Sequence, residues 1–214
     1  MKVAAVIPAF NEEATVGEIV ATTRQVEWVD EVVVVSDGST DGTAEKARAA
    51  GARVIVHPEN RGKAAAMKTG VEATEAEVIL FLDADLIGLT PDHVRSLVLP
   101  VVLGECEMSI GLFDEGRLAT DLAQVVAPYL SGQRAVRREI LMRMFAEEPE
   151  ADLSRFGIEV ALTRFVRRHG VRVVEVPLEE MTHRTKEEKM GLVRGLRARI
   201  QMYWEILKYA QRGH

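Results

Sequence analysis

Two aspartates separated by one residue, Asp83 and Asp85, follow an apolar run. In an extended chain, positions i and i+2 project to the same side, so both carboxylates can face one small volume. Adjacent carboxylates repel each other unless a cation lies between or beside them. A divalent metal ion would meet that need, and it could also bridge the phosphates of a nucleotide diphosphate and neutralise the charge of a leaving group. The alternative is a solvated turn in which Asp85 acts as a cap.

Apolar runs of the same kind occur twice more in the first half of the chain. Residues 3–7, 31–37 and 78–83 show no alternation, which is typical of strands covered on both faces in a parallel sheet. Helical patterns lie between them, over residues 14–26, 41–50 and 63–74. Strands that alternate with helices of this length predict βαβ units and an α/β, Rossmann-like fold.

The second half of the chain is less regular. We predict helices over residues 91–103, 137–145 and 156–169, strands over 107–112 and 171–176, and a long C-terminal helix over 187–211, while 114–131 gives no firm period. At 214 residues the chain suits one domain. We therefore predict a single domain with a mixed, mainly parallel sheet flanked by helices, divided into a ligand-binding half (1–112), an acceptor half (113–186) and the C-terminal helix (187–214).

Every distinctive polar cluster follows a predicted strand. The strands end in PAFNEE (8–13), SDGSTDGT (36–43) and DAD (83–85), and ligands of open α/β sheets bind at this end of the strands. The segment NRGK (60–63) opens the third predicted helix, where backbone amides, the helix dipole and the Lys63 ammonium would suit a diphosphate. The alternatives are a turn with a helix cap at Asp37-Gly38-Ser39 and an ordinary helix start with a solvated Lys63.

These motifs carry a family resemblance. PAFNEE, VVVVSDGSTDGT, NRGKAAAMKTG and FLDADL, in this order and spacing, resemble the family 2 type of glycosyltransferases with the GT-A fold, over residues 1 to about 112. The resemblance implies a nucleotide-sugar donor and Mg²⁺ or Mn²⁺, with Asp85 as the direct metal ligand and Asp83 nearer the ribose or a bound water. It implies donor contacts from Pro8, Ala9, Asn11, Glu12, Asp37, Gly38, Ser39, Gly62, Lys63, Asp83 and Ala84.

The second half narrows the resemblance. LSGQRAVRRE (130–139), FGIE (156–159), residues 176–183 and DADLI (83–87) are similar to the glucosyl-3-phosphoglycerate synthases. In that family a histidine after the last strand completes the metal site, and His183 occupies the matching place. An imidazole, a carboxylate and phosphate oxygens suit Mn²⁺ or Mg²⁺. Two departures concern the acceptor, since Met181 stands where the synthases have arginine and the stretch 114–130 is shorter.

We predict acceptor contacts from Gly132, Gln133, Arg134 and Arg184. A turn of small residues exposes backbone amides to an anion, and an arginine can donate two parallel hydrogen bonds to a phosphate or carboxylate. A structural ion pair is the alternative for Arg134. Glu159 and Asp83 are the predicted catalytic residues; the alternative for Glu159 is a helix residue that caps Arg134 or Arg155. Val160 follows Glu159, so the Glu-Asp pair that supplies a general base in inverting members is missing. Either the enzyme retains configuration or its acceptor is a phosphate that is already ionised.

Composition excludes some partners. The net charge is −6 and the basic residues are scattered until the last quarter, so we expect no nucleic-acid binding. Cys106 is the only cysteine, which fits a cytoplasmic protein, and no apolar run approaches the ~18 residues of a membrane span. Apolar residues at helical spacing form a stripe along the predicted C-terminal helix. This stripe favours packing on its own domain or on a second copy in a homodimer, with a membrane surface as the alternative.

Three functions follow as hypotheses. The leading one is a metal-dependent transfer of a hexose, glucose first, from a nucleoside-diphosphate sugar such as UDP-glucose to a small anionic acceptor such as 3-phosphoglycerate. The second is a peripheral-membrane polyprenyl-phosphate glycosyltransferase. The third is a nucleotide-sugar binding module without catalysis.

Overall fold

The computed structural model describes residues 1–113, 131–147, 157–179 and 181–183 of the chain. At residues 113, 182 and 183 it describes only the backbone. The predicted C-terminal helix therefore lies outside the described residues. None of the described helices is both long enough and apolar enough to cross a membrane.

Seven of the described strands form one mixed sheet in the order β3-β2-β1-β4-β7-β6-β8, and β5 and β9 form a separate two-stranded sheet. The strands are β1 Val3–Ala9, β2 Glu31–Asp37, β3 Arg53–His57, β4 Val78–Phe81, β5 Leu86–Ile87, β6 Met108–Phe113, β7 Arg134–Arg137, β8 Val173–Leu178 and β9 Thr182–His183. The described helices are α1 Val16–Thr23, α2 Thr43–Ala49, α3 Lys63–Glu72, α4 Pro91–Val102, α5 Arg138–Glu147 and α6 Ile158–His169.

Strands β3, β2, β1 and β4 are parallel neighbours, whereas β7 runs antiparallel to both β4 and β6, and β8 is parallel to β6. The predicted mixed, mainly parallel sheet flanked by helices is thus confirmed. We did not predict strand β3, because its apolar run is only three residues long and has charged or polar residues at both ends. Strand β7 was not predicted either, and it begins at Arg134, which we predicted only as an acceptor contact.

The absence of alternation in β1 has a direct structural cause. All seven residues of this strand are buried. Val3, Ala5 and Ile7 pack into the same apolar cluster as residues of α1 and α4, whereas Ala4 and Val6 pack into a second cluster with residues of α3, α5 and α6. Because helices cover both faces of the sheet, neither face of the strand can carry polar side chains.

The strand register brings the polar clusters to one edge of the sheet. Ala9 at the end of β1 pairs with Ser36 near the end of β2, and Asp37 pairs with His57 at the end of β3. Phe81 at the end of β4 pairs with Arg134 at the start of β7, because those two strands are antiparallel. The loops after β1, β2 and β4 therefore share this edge with the residues that precede β7.

Candidate active site

The loops after β1 and β2 are tied together by hydrogen bonds. The Asn11 amide donates to Ser39 Oγ over 3.1 Å, and the Thr40 amide donates to Asn11 Oδ1 over 2.8 Å. One step further along, the Glu12 amide donates to Thr43 Oγ1 over 2.8 Å. Asn11 has a φ of 56°, a left-handed conformation that asparagine tolerates better than most residues. These two loops therefore form one structural unit at the edge of the sheet.

Asp37 holds the loop that leads into α3. Its Oδ1 accepts from the Arg61 amide over 3.0 Å and its Oδ2 from the Gly62 amide over 2.8 Å. The same Oδ1 lies 2.6 Å from Nδ1 of the buried His57, whose Nε2 is 3.0 Å from Thr69 Oγ1 in α3. Both oxygens of Asp37 thus have partners within the protein, and its contact with a base or ribose stays a prediction.

Glycine is required after Asp37 by a close backbone approach. Gly38 has a φ of +70°, and a Cβ there would lie 2.4 Å from the Asn60 amide nitrogen. Any larger residue would push the 59–62 loop away from β2. Since α3 starts at the end of this loop, Gly38 and Asp37 together fix where Lys63 begins.

Lys63 is the centre of a charge cluster that we call the Lys63 cluster: Lys63, Asp83, Gln133 and Glu159. The Lys63 Nζ lies 2.5 Å from Asp83 Oδ1 and 2.5 Å from Glu159 Oε1. The Asp83 and Glu159 side chains are only 16% and 15% exposed, whereas that of Lys63 is 42% exposed. The ammonium therefore bridges two largely buried carboxylates, one after β4 and one in the first turn of α6, and keeps a solvent-facing side.

The charge state of Lys63 follows from these contacts. Burial acts to lower the pKa of Lys63, but the negative charges of Asp83 and Glu159 and their hydrogen bonds raise that pKa above its ordinary value. The ammonium is therefore protonated throughout the neutral range. A ligand at this edge therefore meets a permanent positive charge between two carboxylates.

Asp83 is also oriented from the other side, by the segment before β7. Gln133 is fully buried, and its Nε2 donates to Asp83 Oδ2 over 3.0 Å while its Oε1 accepts from the Asp83 amide over 3.1 Å. A Cβ on Gly132 would lie 2.4 Å from Asp83 Oδ2. Gly132 and Gln133, which we predicted as acceptor contacts, thus lie against the carboxylate of Asp83, and their contact with an acceptor stays a prediction.

The remaining predicted donor contacts lie at or after the ends of strands β1 and β4. Pro8 and Ala9 are the last two residues of β1 and are buried, whereas Asn11 is exposed. Ala84 is 4% exposed, and its carbonyl accepts a hydrogen bond from Thr15 Oγ1 over 2.6 Å. Arg184 lies outside the described residues.

The donors available for a metal ion can be compared with what Mg²⁺ and Mn²⁺ require. Among the residues that the structure describes, no three His, Cys, Asp or Glu side chains group closely enough to hold a metal ion. Asp85 is partly exposed after β4, whereas the Asp83 carboxylate already contacts Lys63 and Gln133. Mg²⁺ is often held by one or two carboxylates together with substrate phosphates, and Asp85 suits that arrangement. His183 ends β9, and its side chain is not among those described.

Some residues of the site carry no signal in the sequence that singles them out. His57 and Thr69 support Asp37 from β3 and α3, and Thr15 supports Ala84. Each lies in an ordinary strand, helix or turn, so only tertiary contacts identify it. The one available hint for His57 is a polar residue at the end of a short apolar run, the same position that Asp37 and Asp83 occupy after their strands.

Comparison with known proteins identifies the family pattern. The sequence profile of glycosyl transferase family 2 matches residues 4–148. The glucosyl-3-phosphoglycerate synthase of Mycobacterium tuberculosis is 37% identical over 112 residues, which cover 48% of this chain and 35% of that protein. The undecaprenyl-phosphate 4-deoxy-4-formamido-L-arabinose transferase of Pseudomonas fluorescens is 35% identical over 112 residues, 48% of this chain and 33% of that protein. The matched part is therefore about a third of the length of either relative.

A solved structure extends the likeness to most of the chain. The glucosyl-3-phosphoglycerate synthase from Mycobacterium tuberculosis, in complex with Mn²⁺, uridine diphosphate glucose and phosphoglyceric acid, superimposes with a TM-score of 0.71 at 30% sequence identity. The match covers 86% of this chain and 72% of that one. The predicted GT-A fold is confirmed by this likeness.

Proposed function

The chain belongs to glycosyl transferase family 2, and from that premise we propose that it transfers a hexose, glucose first, from a nucleoside-diphosphate sugar such as UDP-glucose to a small anionic acceptor such as 3-phosphoglycerate. The observation that carries the proposal is the Lys63 cluster, where one ammonium bridges Asp83 and Glu159 at the edge on which the loops converge. The complex of the Mycobacterium tuberculosis synthase with uridine diphosphate glucose and phosphoglyceric acid supports this choice of donor and acceptor.

In this proposal the donor lies across the edge of the sheet. Its nucleoside contacts the paired loops that Asn11 and Ser39 join, and its diphosphate lies near the start of α3, where Gly62 and Lys63 offer an amide and an ammonium. The sugar then reaches the carboxylates of Asp83 and Glu159. Two ionised carboxylates held in place by an ammonium can accept hydrogen bonds from sugar hydroxyls without moving, which orients the anomeric carbon.

Asp85 would hold Mg²⁺ or Mn²⁺ together with the diphosphate of the donor, and the metal role of His183 stays a prediction. When bound, the metal ion supplies positive charge that neutralises the departing diphosphate. Complexes of the Mycobacterium tuberculosis synthase contain Mn²⁺ in one structure and Mg²⁺ in another, which supports either ion.

In the chemical step, the bond from the anomeric carbon to the diphosphate oxygen breaks and a bond to the acceptor oxygen forms. The carboxylates of Asp83 and Glu159 both contact the Lys63 ammonium, so neither is arranged as a general base. The proton of an acceptor hydroxyl therefore passes to the departing diphosphate in a retaining reaction. An acceptor phosphate that is ionised at neutral pH needs no base at all.

A second candidate is transfer to a polyprenyl phosphate at a membrane surface. The Pseudomonas fluorescens relative, an undecaprenyl-phosphate transferase, favours it, and the same donor site would serve both reactions. A binding module without catalysis is the third candidate. For the leading function we expect a cytoplasmic homodimer.

The first experiment measures donor binding and turnover. Calorimetry of the purified chain with UDP-glucose is expected to give saturable binding in Mn²⁺ that EDTA removes. An acceptor screen with UDP-glucose and GDP-mannose, followed by NMR of the anomeric proton of the product, then gives donor, acceptor and stereochemistry together. Turnover only with a lipid phosphate would favour the second candidate, binding without turnover or donor hydrolysis would favour the third, and no binding would contradict all three.

Gly132→Ala is expected to reduce glucosyl transfer sharply. The new Cβ would lie 2.4 Å from Asp83 Oδ2, so the carboxylate must move away from Gln133. A displacement of about 1 Å in a reacting group can cost about 10²-fold in rate, and we expect a loss of that order in kcat measured by UDP release. The matched control is Gly17→Ala, where the nearest atom to the added Cβ is the Lys46 carbonyl oxygen at 3.8 Å. Equal rates for the two variants would show that Asp83 does not orient the sugar.

A further inference from the structure

One charged side chain of the sheet, Arg134, interacts electrostatically with Asp83 and Glu159 of the Lys63 cluster. Arg134 opens β7 and pairs with Phe81 at the end of β4. It is 1% exposed, and no larger side chain is fully buried in the part of the chain that the structure describes. Its guanidinium therefore lies beneath the site, shielded from solvent, although sequence reasoning placed it among the acceptor contacts.

The Arg134 guanidinium donates hydrogen bonds to groups within the protein. Nε donates to the Ser131 carbonyl over 2.8 Å, and Nη1 donates to Thr163 Oγ1 over 3.0 Å. The Thr163 hydroxyl in turn donates to the Glu159 carbonyl over 2.8 Å, within the first turn of α6. A chain of two hydrogen bonds thus runs from Arg134 to the backbone of the residue whose carboxylate contacts Lys63.

Burial of a full charge at this depth calls for a compensating interaction. A buried ion costs several kcal/mol of desolvation unless opposite charges and hydrogen bonds offset it. Burial lowers the pKa of Arg134 to about 10, and Glu159 and Asp83 act in the opposite direction. Arg134 is therefore charged at neutral pH and is attracted electrostatically to both carboxylates of the Lys63 cluster.

The two positive charges of Lys63 and Arg134 offset the two negative charges of Asp83 and Glu159. Lys63 is 42% exposed and can turn toward the diphosphate of a donor. Arg134 is fixed by its contacts with Ser131 and Thr163 and cannot follow. It would remain as the counter-charge of the two carboxylates while Lys63 contacts the donor.

Resting on the proposed function, we infer that Arg134 is a positioning residue. It fixes Glu159 through Thr163, and its positive charge offsets the negative charges of Asp83 and Glu159. It makes no contact with the acceptor. It acts on the rate of transfer by holding the carboxylates in place. The binding of the nucleotide part of the donor, at the other end of the site, is independent of it.

The test compares Arg134→Met and Arg134→Lys with Thr163→Val and Thr163→Ser. Arg134→Met is expected to lower kcat for UDP release from UDP-glucose and 3-phosphoglycerate by about 10²-fold, because the carboxylates shift. Arg134→Lys should recover part of that loss. Thr163→Val should lower kcat by about tenfold, because both hydrogen bonds of the Thr163 hydroxyl are lost, and Thr163→Ser should restore it. The KM for 3-phosphoglycerate and the affinity for UDP are expected to stay within about twofold of wild type, since neither the acceptor nor the nucleotide is held by Arg134.

Two outcomes would overturn the inference. A higher KM for 3-phosphoglycerate with an unchanged kcat in Arg134→Lys would indicate a direct acceptor contact. Unchanged kcat in Thr163→Val would show that Thr163 transmits nothing to Glu159, and this arm decides the matter even where Arg134→Met does not fold.

A third measurement separates this inference from the proposed function. Hydrogen exchange of the amides in the first turn of α6 is expected to speed up in Thr163→Val and to return to the wild-type rate in Thr163→Ser. A wild-type protein that releases no UDP from UDP-glucose would contradict the proposed function alone. The exchange rates would then still support the positioning role if they respond to Thr163 and would overturn it if they do not.

Discussion

Replacing Asp85 with alanine is expected to abolish the metal-dependent part of donor binding and to lower kcat/KM by about 10³-fold. Asp85 is the partly exposed carboxylate after β4, whereas Asp83 is already held by Lys63 and Gln133. The charge that a metal ion adds to a departing diphosphate contributes several kcal/mol to transition-state stabilisation, and each 1.36 kcal/mol is about tenfold in rate. Calorimetry of UDP binding with Mn²⁺ and with EDTA measures the first effect, and UDP release measures the second.

The control for Asp85→Ala is Asp92→Ala. Asp92 is an exposed aspartate in the first turn of α4 whose carboxylate pairs with Arg95, so its loss changes the net charge equally without touching the site. Asp92→Ala should bind UDP like the wild type in both conditions. If Asp85→Ala keeps the wild-type affinity and the wild-type dependence on Mn²⁺, the assignment of Asp85 as the metal ligand is wrong.

Replacing Lys63 with methionine is expected to lower kcat by about 10²- to 10³-fold, the usual effect of removing one preorganised charge from a transition-state site. Methionine keeps the length and packing of the side chain but leaves Asp83 and Glu159 without the ammonium that bridges them. The two carboxylates then repel each other, and the diphosphate loses its nearest lysine. Steady-state rates of UDP release measure the loss.

The matched control for Lys63→Met is Lys46→Met, because Lys46 is an exposed lysine in α2. Lys63→Arg is a second comparison, since it restores the charge but not the compact geometry of an ammonium between two carboxylates. We expect Lys46→Met to match the wild type and Lys63→Arg to fall between the wild type and Lys63→Met. Equal kcat for Lys63→Met and Lys46→Met would remove the Lys63 cluster from the mechanism.

The fold was predictable where the chain has strong local patterns. The run 3–7 lacks alternation because helices cover both faces of β1, and this pattern led directly to the mixed, mainly parallel sheet. Strand β7 was not predictable, because Arg134 and Arg137 bracket only two apolar residues. It forms because β4 and β6 both offer it backbone partners, and those strands lie far from it in the sequence.

The site was predictable to a similar extent. Lys63, Asp83 and Glu159 were named from motifs and from a family resemblance, and the structure brings both carboxylates into contact with Lys63. Their mutual pairing was not expected, since Lys63 was assigned to the diphosphate alone. The metal role of His183 and the acceptor role of Arg184 remain predictions, because neither side chain is among those described.

The sequence by itself determined which residues stand at strand ends, since a strand end is a local feature marked by the change from apolar to polar residues. That information located the Asp83-Ala84-Asp85 turn at the edge of the sheet and favoured a metal-assisted diphosphate site. Only the tertiary structure showed that Lys63 and Gln133 hold the Asp83 carboxylate. Lys63, Gln133 and Glu159 lie 20, 50 and 76 residues away from Asp83 in the sequence, so their convergence on the Lys63–Asp83 pair depends on long-range contacts.

Long-range contacts also explain why the carboxylates of Asp83 and Asp85 have different surroundings. Local geometry makes Asp83 and Asp85 equivalent, because both project to one side of an extended chain. The antiparallel pairing of β4 with β7 places Gln133 against Asp83, and the first turn of α6 brings Glu159 to the lysine that Asp83 contacts. Asp83 is thereby fixed within the protein, and the metal role of Asp85 stays a prediction.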